Sequence, residues 1–259
     1  TLACRLAARF REEGSSVGIV AVDPTSPFTG GALLGDRVRM QELSSDPGVF
    51  IRSMGSRGAQ GGLSVATNDV INVLDAFGKE YVIVETVGAG QVEIDIVKFA
   101  HTCVVVTMPG AGDEVQAIKA GILEIADIFV VNKSDREGAM RTVADLEMMV
   151  DTRPDHVGAG RKPPVVATSA LEGGGVDELA RQVALHRRYL VESGMLEKKT
   201  LQRMKAEALG ILSLRVASLA LDALGEGGAA AGLTERMAAR ELDPHGAADE
   251  LARALGLED

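Results

Sequence analysis

Apolar residues along this chain follow two different periods. Short unbroken runs (Val17-Gly18-Ile19-Val20-Ala21-Val22, Tyr81-Val82-Ile83-Val84, Ile128-Phe129-Val130-Val131, Val165-Val166-Ala167) alternate with longer segments whose apolar positions recur every three or four residues. The first pattern reads as strands buried on both faces and the second as amphipathic helices. The spacing predicts helices over residues 1–13, 37–43, 63–77, 115–123, 139–150 and 176–193, and strands over 17–22, 48–52, 81–85, 102–107, 128–131 and 165–168. A Gly- and Ser-rich loop is expected up to residue 62. Strands alternating with helices imply an α/β fold: a mainly parallel sheet, helices on both faces, and ligand chemistry at the carboxyl ends of the strands.

The pattern changes after Gly194. Residues 195–224 read as one long helix, with Leu209, Leu212, Val216 and Leu219 stepping by three and four along one face. A Gly/Ala linker follows over 225–232, and Asp243-Pro244 should cap a last helix running to 255. The reading is therefore two regions, 1–193 and a helical arm over 194–259. Such an arm cannot bury an apolar face on itself, so it should pack on the first region or on a second copy of the chain.

Composition narrows the function classes. With 259 residues and 46% apolar content, the chain can bury a large core. A net charge of −10 argues against nonspecific nucleic-acid binding, which rests on clustered cations facing phosphates. The two cysteines, Cys4 and Cys103, make neither a disulfide framework nor a zinc knuckle. The histidines, His101, His156, His186 and His245, lack ligand spacing and read as surface or satisfied structural residues. No stretch reaches the roughly 18–20 apolar residues of a membrane span, so no membrane partner is expected. A cytoplasmic protein is the expectation, or one of the mitochondrial matrix in a eukaryote.

The candidate chemistry lies at the ends of the strand-like runs. Asn132-Lys133-Ser134-Asp135 closes one of them and has the form NKxD. Asp135 can accept from both the N1–H and the exocyclic amine of guanine, Asn132 can donate to the N7/O6 side, and the Lys133 stem can lie along the base. Adenine offers no such pair of donors, and a site built on that matching leaves its own polar groups unpaired with the wrong base. The strand ending at Thr168 leads into Ser169-Ala170-Leu171, placed to close over the far edge of the base. Glu85-Thr86-Val87-Gly88-Ala89-Gly90-Gln91 puts an acid and glycines at another strand end, where the Gly88 main chain can approach a terminal phosphoryl group. Asp23, in Asp23-Pro24-Thr25-Ser26, and Asp36, in Gly35-Asp36-Arg37, complete a set of three acids with Glu85. Acids converging on one pocket repel unless a cation lies between them, and Mg²⁺ bridging nucleotide phosphates is the usual solution. On residue chemistry alone the chain is a guanine-nucleotide switch.

Taken in order, VDPTS, GDRVRM, VETVGAGQ, MPGAGDEVQAIKAGI, NKSD and TSAL resemble the MeaB/ArgK family of P-loop GTPases, which includes the methylmalonic aciduria type A protein. The resemblance runs from about residue 1 to 193. Ras-like GTPases carry DxxG where this chain has Glu85-Thr86-Val87-Gly88, and have nothing like PGAGDE. The resemblance implies a SIMIBI-type P-loop NTPase fold, GTP/GDP and Mg²⁺ as cofactors, and a role as chaperone of an adenosylcobalamin-dependent acyl-CoA mutase. It also implies a homodimer through the C-terminal helices. One departure stands out: the sequence contains no GxxxxGK[ST] phosphate loop, and Thr1-Leu2-Ala3-Cys4-Arg5 resembles the helix that directly follows it. The first strand and the loop are expected upstream.

By the same resemblance Glu85 is the chief catalytic residue and Gln91 matches the glutamine that positions water in other GTPases. Asp23, Asp36 and Glu85 organise the metal, and Gly88, Asn132, Lys133, Asp135, Ser169, Ala170 and Leu171 bind nucleotide. The stretch from Met108 to Lys119 reads, on residues alone, as a loop capping a helix, with Asp113 or Glu114 at its N-terminus. The resemblance makes it a switch segment, carried by Gly110, Gly112, Asp113, Glu114 and Lys119, that passes nucleotide state to the mutase. Two other readings stay open here. A nickel-delivery GTPase for hydrogenase or urease would need Cys/His metal sites, and an ATP-driven transport component would not need NKxD.

Overall fold

The structure, a computed structural model, describes residues 1–23, 40, 43–55, 65–86, 99–110, 124–152 and 161–257. The elements in chain order are α1 (Leu2–Glu12), β1 (Val17–Asp23), β2 (Val49–Gly55), α2 (Val65–Ala76), β3 (Tyr81–Thr86), β4 (Val104–Thr107), β5 (Ile128–Asn132), α3 (Ala139–Asp151), β6 (Val165–Thr168), α4 (Val176–Glu192), α5 (Met195–Leu224), α6 (Leu233–Ala238) and α7 (Pro244–Ala254). The strands form two three-stranded sheets, ordered β2-β1-β3 and β4-β5-β6. Every pairing is parallel. The expected α/β architecture is thus present, a SIMIBI-type P-loop NTPase fold with a C-terminal helical extension.

The continuous apolar runs follow from burial on both faces. One core joins alternate residues of both sheets (Ile19, Ala21, Ile128, Val130, Val166) to Leu6, Ala7 and Phe10 of α1 and to Leu179 and Ala180 of α4. Residues one step out of phase face the other way: Phe129 and Val131 pack on Val143, Leu146 and Val150 of α3. Likewise Val20 and Val22 pack on Ile71 and Leu74 of α2. A one-residue slip would exchange these faces, so the register is strongly specified. Phe10 also stacks flat on Tyr81, ring centroids 3.8 Å apart.

Several predicted boundaries shift for physical reasons. The strand expected over 102–107 begins at Val104, because the Cys103 N–H donates to the Asp127 carboxylate (2.8 Å) and Thr102 turns its hydroxyl to His186 (2.9 Å). The strand expected over 48–52 continues to Gly55, pairing β1 along its whole length. The six-residue helix α6 follows the Gly/Ala linker, too short to produce a periodic signal. Asp243 caps α7 as expected, accepting from the main-chain N–H groups of His245 and Gly246. Only Met40 and Leu43 of the helix expected over 37–43 are described, and the one expected over 115–123 lies outside the described residues.

The chain divides into two compact units, Thr1–Arg203 and Met204–Asp259, with the division inside α5. The first turns of α5 belong to the first unit: Lys199 donates to the His101 carbonyl (2.9 Å) and lies 3.4 Å from Asp127. The second unit has a small core of its own, Ala223, Ala230 and Leu233. Leu209, Leu212 and Leu219 of α5 are exposed in this single chain. Among the described residues no helix is long and apolar enough to cross a membrane.

Candidate functional site

Among the described residues, the carboxyl ends of β5 and β6 carry the most developed cluster of polar side chains at the strand ends expected to hold ligands. Register places Asn132, the last residue of β5, beside Thr168, the last of β6. The Thr168 hydroxyl donates to Asn132 Oδ1 at 3.2 Å, and the Ala170 N–H donates to the same oxygen at 3.1 Å. The Ser169 hydroxyl donates to Asp135 Oδ1 at 2.7 Å. The turn is locked to the sheet by the Ser134 N–H, which donates to the Thr168 carbonyl at 2.9 Å. Thus Asn132, Asp135, Ser169 and Ala170, all predicted from sequence, meet in one hydrogen-bonded set.

The cluster is charged at its surface and buried beneath. Ser169 holds the Asp135 carboxyl below the ordinary carboxylate range, with its own main-chain N–H helping, so the group is ionised at neutral pH. Asp135 is exposed, while Ser169 and Ala170 beneath it are buried. The hydrogen bonds from Thr168 and Ala170 both go to Asn132 Oδ1, which fixes the orientation of the side-chain amide. Lys133 has φ of 60°, the left-handed region, which costs a non-glycine residue roughly 1–2 kcal/mol. Such strain persists where surrounding contacts over-determine it, and binding turns are a common place for it. Lys133 Nζ lies 3.1 Å from Met108 Sδ, so the base-side lysine touches the residue that opens the Pro109-Gly110 turn. Gly110 adopts φ of 87° there.

The loop from Ser169 into α4 is shaped by its own hydrogen bonds. The Ser169 N–H donates to the Gly174 carbonyl (2.8 Å) and the Gly173 N–H to the Ser169 carbonyl (2.7 Å). Gly175 closes it at φ of 74°, and a Cβ there would lie 2.0 Å from the Ala167 carbonyl oxygen, so no other residue fits. Leu171 projects outward, 78% exposed.

The second sheet edge is described in part. Asp23 ends β1 and Glu85 is the penultimate residue of the neighbouring strand β3, where Glu85 pairs in register with Ala21. Glu85 is half-buried and its Oε2 is sealed from solvent. Asp36, Gly88, Gln91, Gly112, Asp113, Glu114 and Lys119 lie outside the described residues.

Sequence reasoning missed two members of the base-side set. Thr168 was read only as a strand end, although a hydroxyl at the last position of a strand beside Asn132 has one obvious acceptor. Arg5, on α1, donates to the Ala170 and Leu171 carbonyls from 165 and 166 residues away, and no local signal could have revealed that.

Comparison with known proteins agrees with the geometry. A putative GTPase of Pyrococcus abyssi is 50% identical over 256 residues, covering 98% of this chain and 79% of that protein. The mitochondrial methylmalonic aciduria type A homolog of Mus musculus is 35% identical over 191 residues, 73% of this chain and 46% of that protein. The crystal structure of an LAO/AO transport system kinase superposes with a TM-score of 0.63 at 22% identity, covering 97% of this chain and 76% of that one, a likeness of fold. The family described as methylmalonyl Co-A mutase-associated GTPase MeaB matches residues 1–241. This chain belongs to that family of GTP-hydrolysing enzymes.

Proposed function

We propose that this chain is the guanine-nucleotide switch of a chaperone for an adenosylcobalamin-dependent acyl-CoA mutase, methylmalonyl-CoA mutase or a relative. The observation that carries the nucleotide half of this reading is the hydrogen-bonded set of Asn132, Asp135, Ser169 and Ala170. The mutase half rests on the family.

On this reading Asp135 accepts from the guanine N1–H and amine, Asn132 donates to the N7/O6 side, and the Lys133 stem lies along the ring. Discrimination against adenine then comes from unpaired polar groups, not from shape. Asp23, Asp36 and Glu85 are hard oxygen donors of the type Mg²⁺ takes. When bound, the ion neutralises charge on the phosphates. Glu85 and Gln91 orient the attacking water, and Gly88 offers its main chain to the terminal phosphate. Hydrolysis of this kind depends on positioning and charge more than on covalent chemistry. Loss of the γ-phosphate releases the segment holding Gly110, Gly112, Asp113, Glu114 and Lys119, and the mutase reads that change. The contact between Lys133 and Met108 supports a link from base to switch. The open apolar positions of α5 support pairing of two copies through the C-terminal arm.

The test is GTP turnover by the full-length protein with and without methylmalonyl-CoA mutase, alongside Glu85→Gln. The mutase should raise turnover, and the variant should lose roughly 100-fold or more. Turnover that the mutase leaves unchanged would remove the partner assignment, and an unimpaired variant would remove Glu85 from its role.

A further inference from the structure

We propose that Arg5 is a positioning residue for guanine selectivity, holding the loop that presents Ser169 and Ala170; this rests on the guanine-site reading above. Arg5 sits one turn into α1, and its guanidinium forks across two successive main-chain carbonyls. Nε donates to the Ala170 carbonyl at 3.0 Å and Nη2 to the Leu171 carbonyl at 3.3 Å. Ala170 is therefore pinned on both sides, its N–H by Asn132 and its carbonyl by Arg5. The next side chain, Leu171, is 78% exposed and contributes little packing to hold its main chain. The planar fork of arginine presents two donors in a fixed geometry to the two carbonyls; a lysine ammonium has three rotatable donors on a flexible stem and holds no such fixed pair.

The consequence is specific to the base. Ser169 and Ala170 are the groups that orient Asp135 and Asn132, and those two discriminate guanine. A loop loosened at its carbonyls lets both orienting bonds drift, while the phosphate side is untouched. A shift of about 1 Å in such positioning costs up to roughly 100-fold.

The fold supplies its own control. Arg9, one turn further along α1, pairs with Asp177 in the first turn of α4 and with Glu13 (2.9 Å). It links α1 to α4, the helix that follows the same loop, through side chains and not through the loop carbonyls. The experiment measures GDP and ADP affinity by calorimetry on the full-length protein and on Arg5→Ala, Arg5→Lys and Arg9→Ala, with thermal melts to confirm folding. The GDP:ADP preference should fall roughly tenfold in both Arg5 variants, through GDP alone, and stay unchanged in Arg9→Ala. If Arg5→Ala fails to fold, Arg5→Lys, which keeps the stem and the charge, decides. An unchanged preference in the Arg5 variants would overturn the proposal, as would an equal loss in Arg9→Ala, the mark of a merely structural link. A wild-type protein without guanine preference would instead overturn the guanine-site reading itself.

Discussion

The two ends of the sheet β4-β5-β6 carry similar polar side chains put to opposite uses. At the amino end Asp127 accepts from the Cys103 N–H (2.8 Å), meets His186 Nε2 at 3.3 Å and meets Lys199 at 3.4 Å. Burial pushes the His186 imidazole down and keeps it neutral at physiological pH; Nε2–H then donates to Asp127 while Nδ1 accepts from Thr102. Every named group there answers another, and His186 is only 4% exposed. At the carboxyl end Asn132, Thr168, Ser169, Ala170 and Asp135 also answer one another, yet Asp135 is exposed and ionised. A polar cluster that closes on itself fixes structure. The carboxyl-end cluster differs in keeping an ionised carboxylate, Asp135, in contact with solvent.

The largest expected effect separates the two ends outright. Asp135→Asn replaces an acceptor by an amide donor, which suits the 2-carbonyl of xanthine. Guanine-nucleotide affinity should fall by roughly two to three orders of magnitude and xanthine-nucleotide affinity should rise, read by competition binding. Unchanged guanine affinity would place base recognition elsewhere. At the other end, Asp127→Ala should leave base preference alone but destabilise the fold by about 2–3 kcal/mol, as expected for losing hydrogen bonds to a charged group, measured by urea unfolding. A shift in base preference there would erase the distinction between the ends.

The smallest effect sharpens the account of the closed end. A histidine whose folded-state pKa is lowered favours the neutral form, so its stabilising contribution is complete above the unfolded value near 6.5. That contribution is lost as pH falls below this value toward the folded one. The groups facing His186 are Asp127 and Thr102, with Lys199, Arg161 and Tyr189 near it. Unfolding free energy should therefore decline between pH 7 and 5.5, and less steeply in His186→Gln. His101, an exposed residue, is lowered in the same direction by partial desolvation and the cations Arg203 and Lys199, so the difference between the two slopes is the informative quantity. Equal slopes would mean that His186 is not held neutral.

The open end was legible in the sequence, and the closed end hardly at all. NKxD and the Thr168–Leu171 stretch are local patterns, each within one strand end and its turn, so a single pass along the chain finds them. The strands were equally legible, because burial on both faces writes unbroken apolar runs such as Ile128 to Val131, all fully buried. The Asp127–His186–Thr102 set and the reach of Arg5 join residues from distant elements, and neither leaves a periodic or local trace. The late start of β4 shows the same limit: what stops the ladder at Val104 is an Asp127 side chain 24 residues away in sequence from the Cys103 N–H it binds.

The central claim is that the ends of β5 and β6 form a guanine site, and competition between GDP and ADP for the full-length wild-type protein tests it most directly. The account predicts that GDP wins by at least roughly 100-fold, since an adenine leaves Asp135 and Asn132 without partners. Equal affinities would contradict it, and would leave this hydrogen-bonded set as structure without the recognition assigned to it.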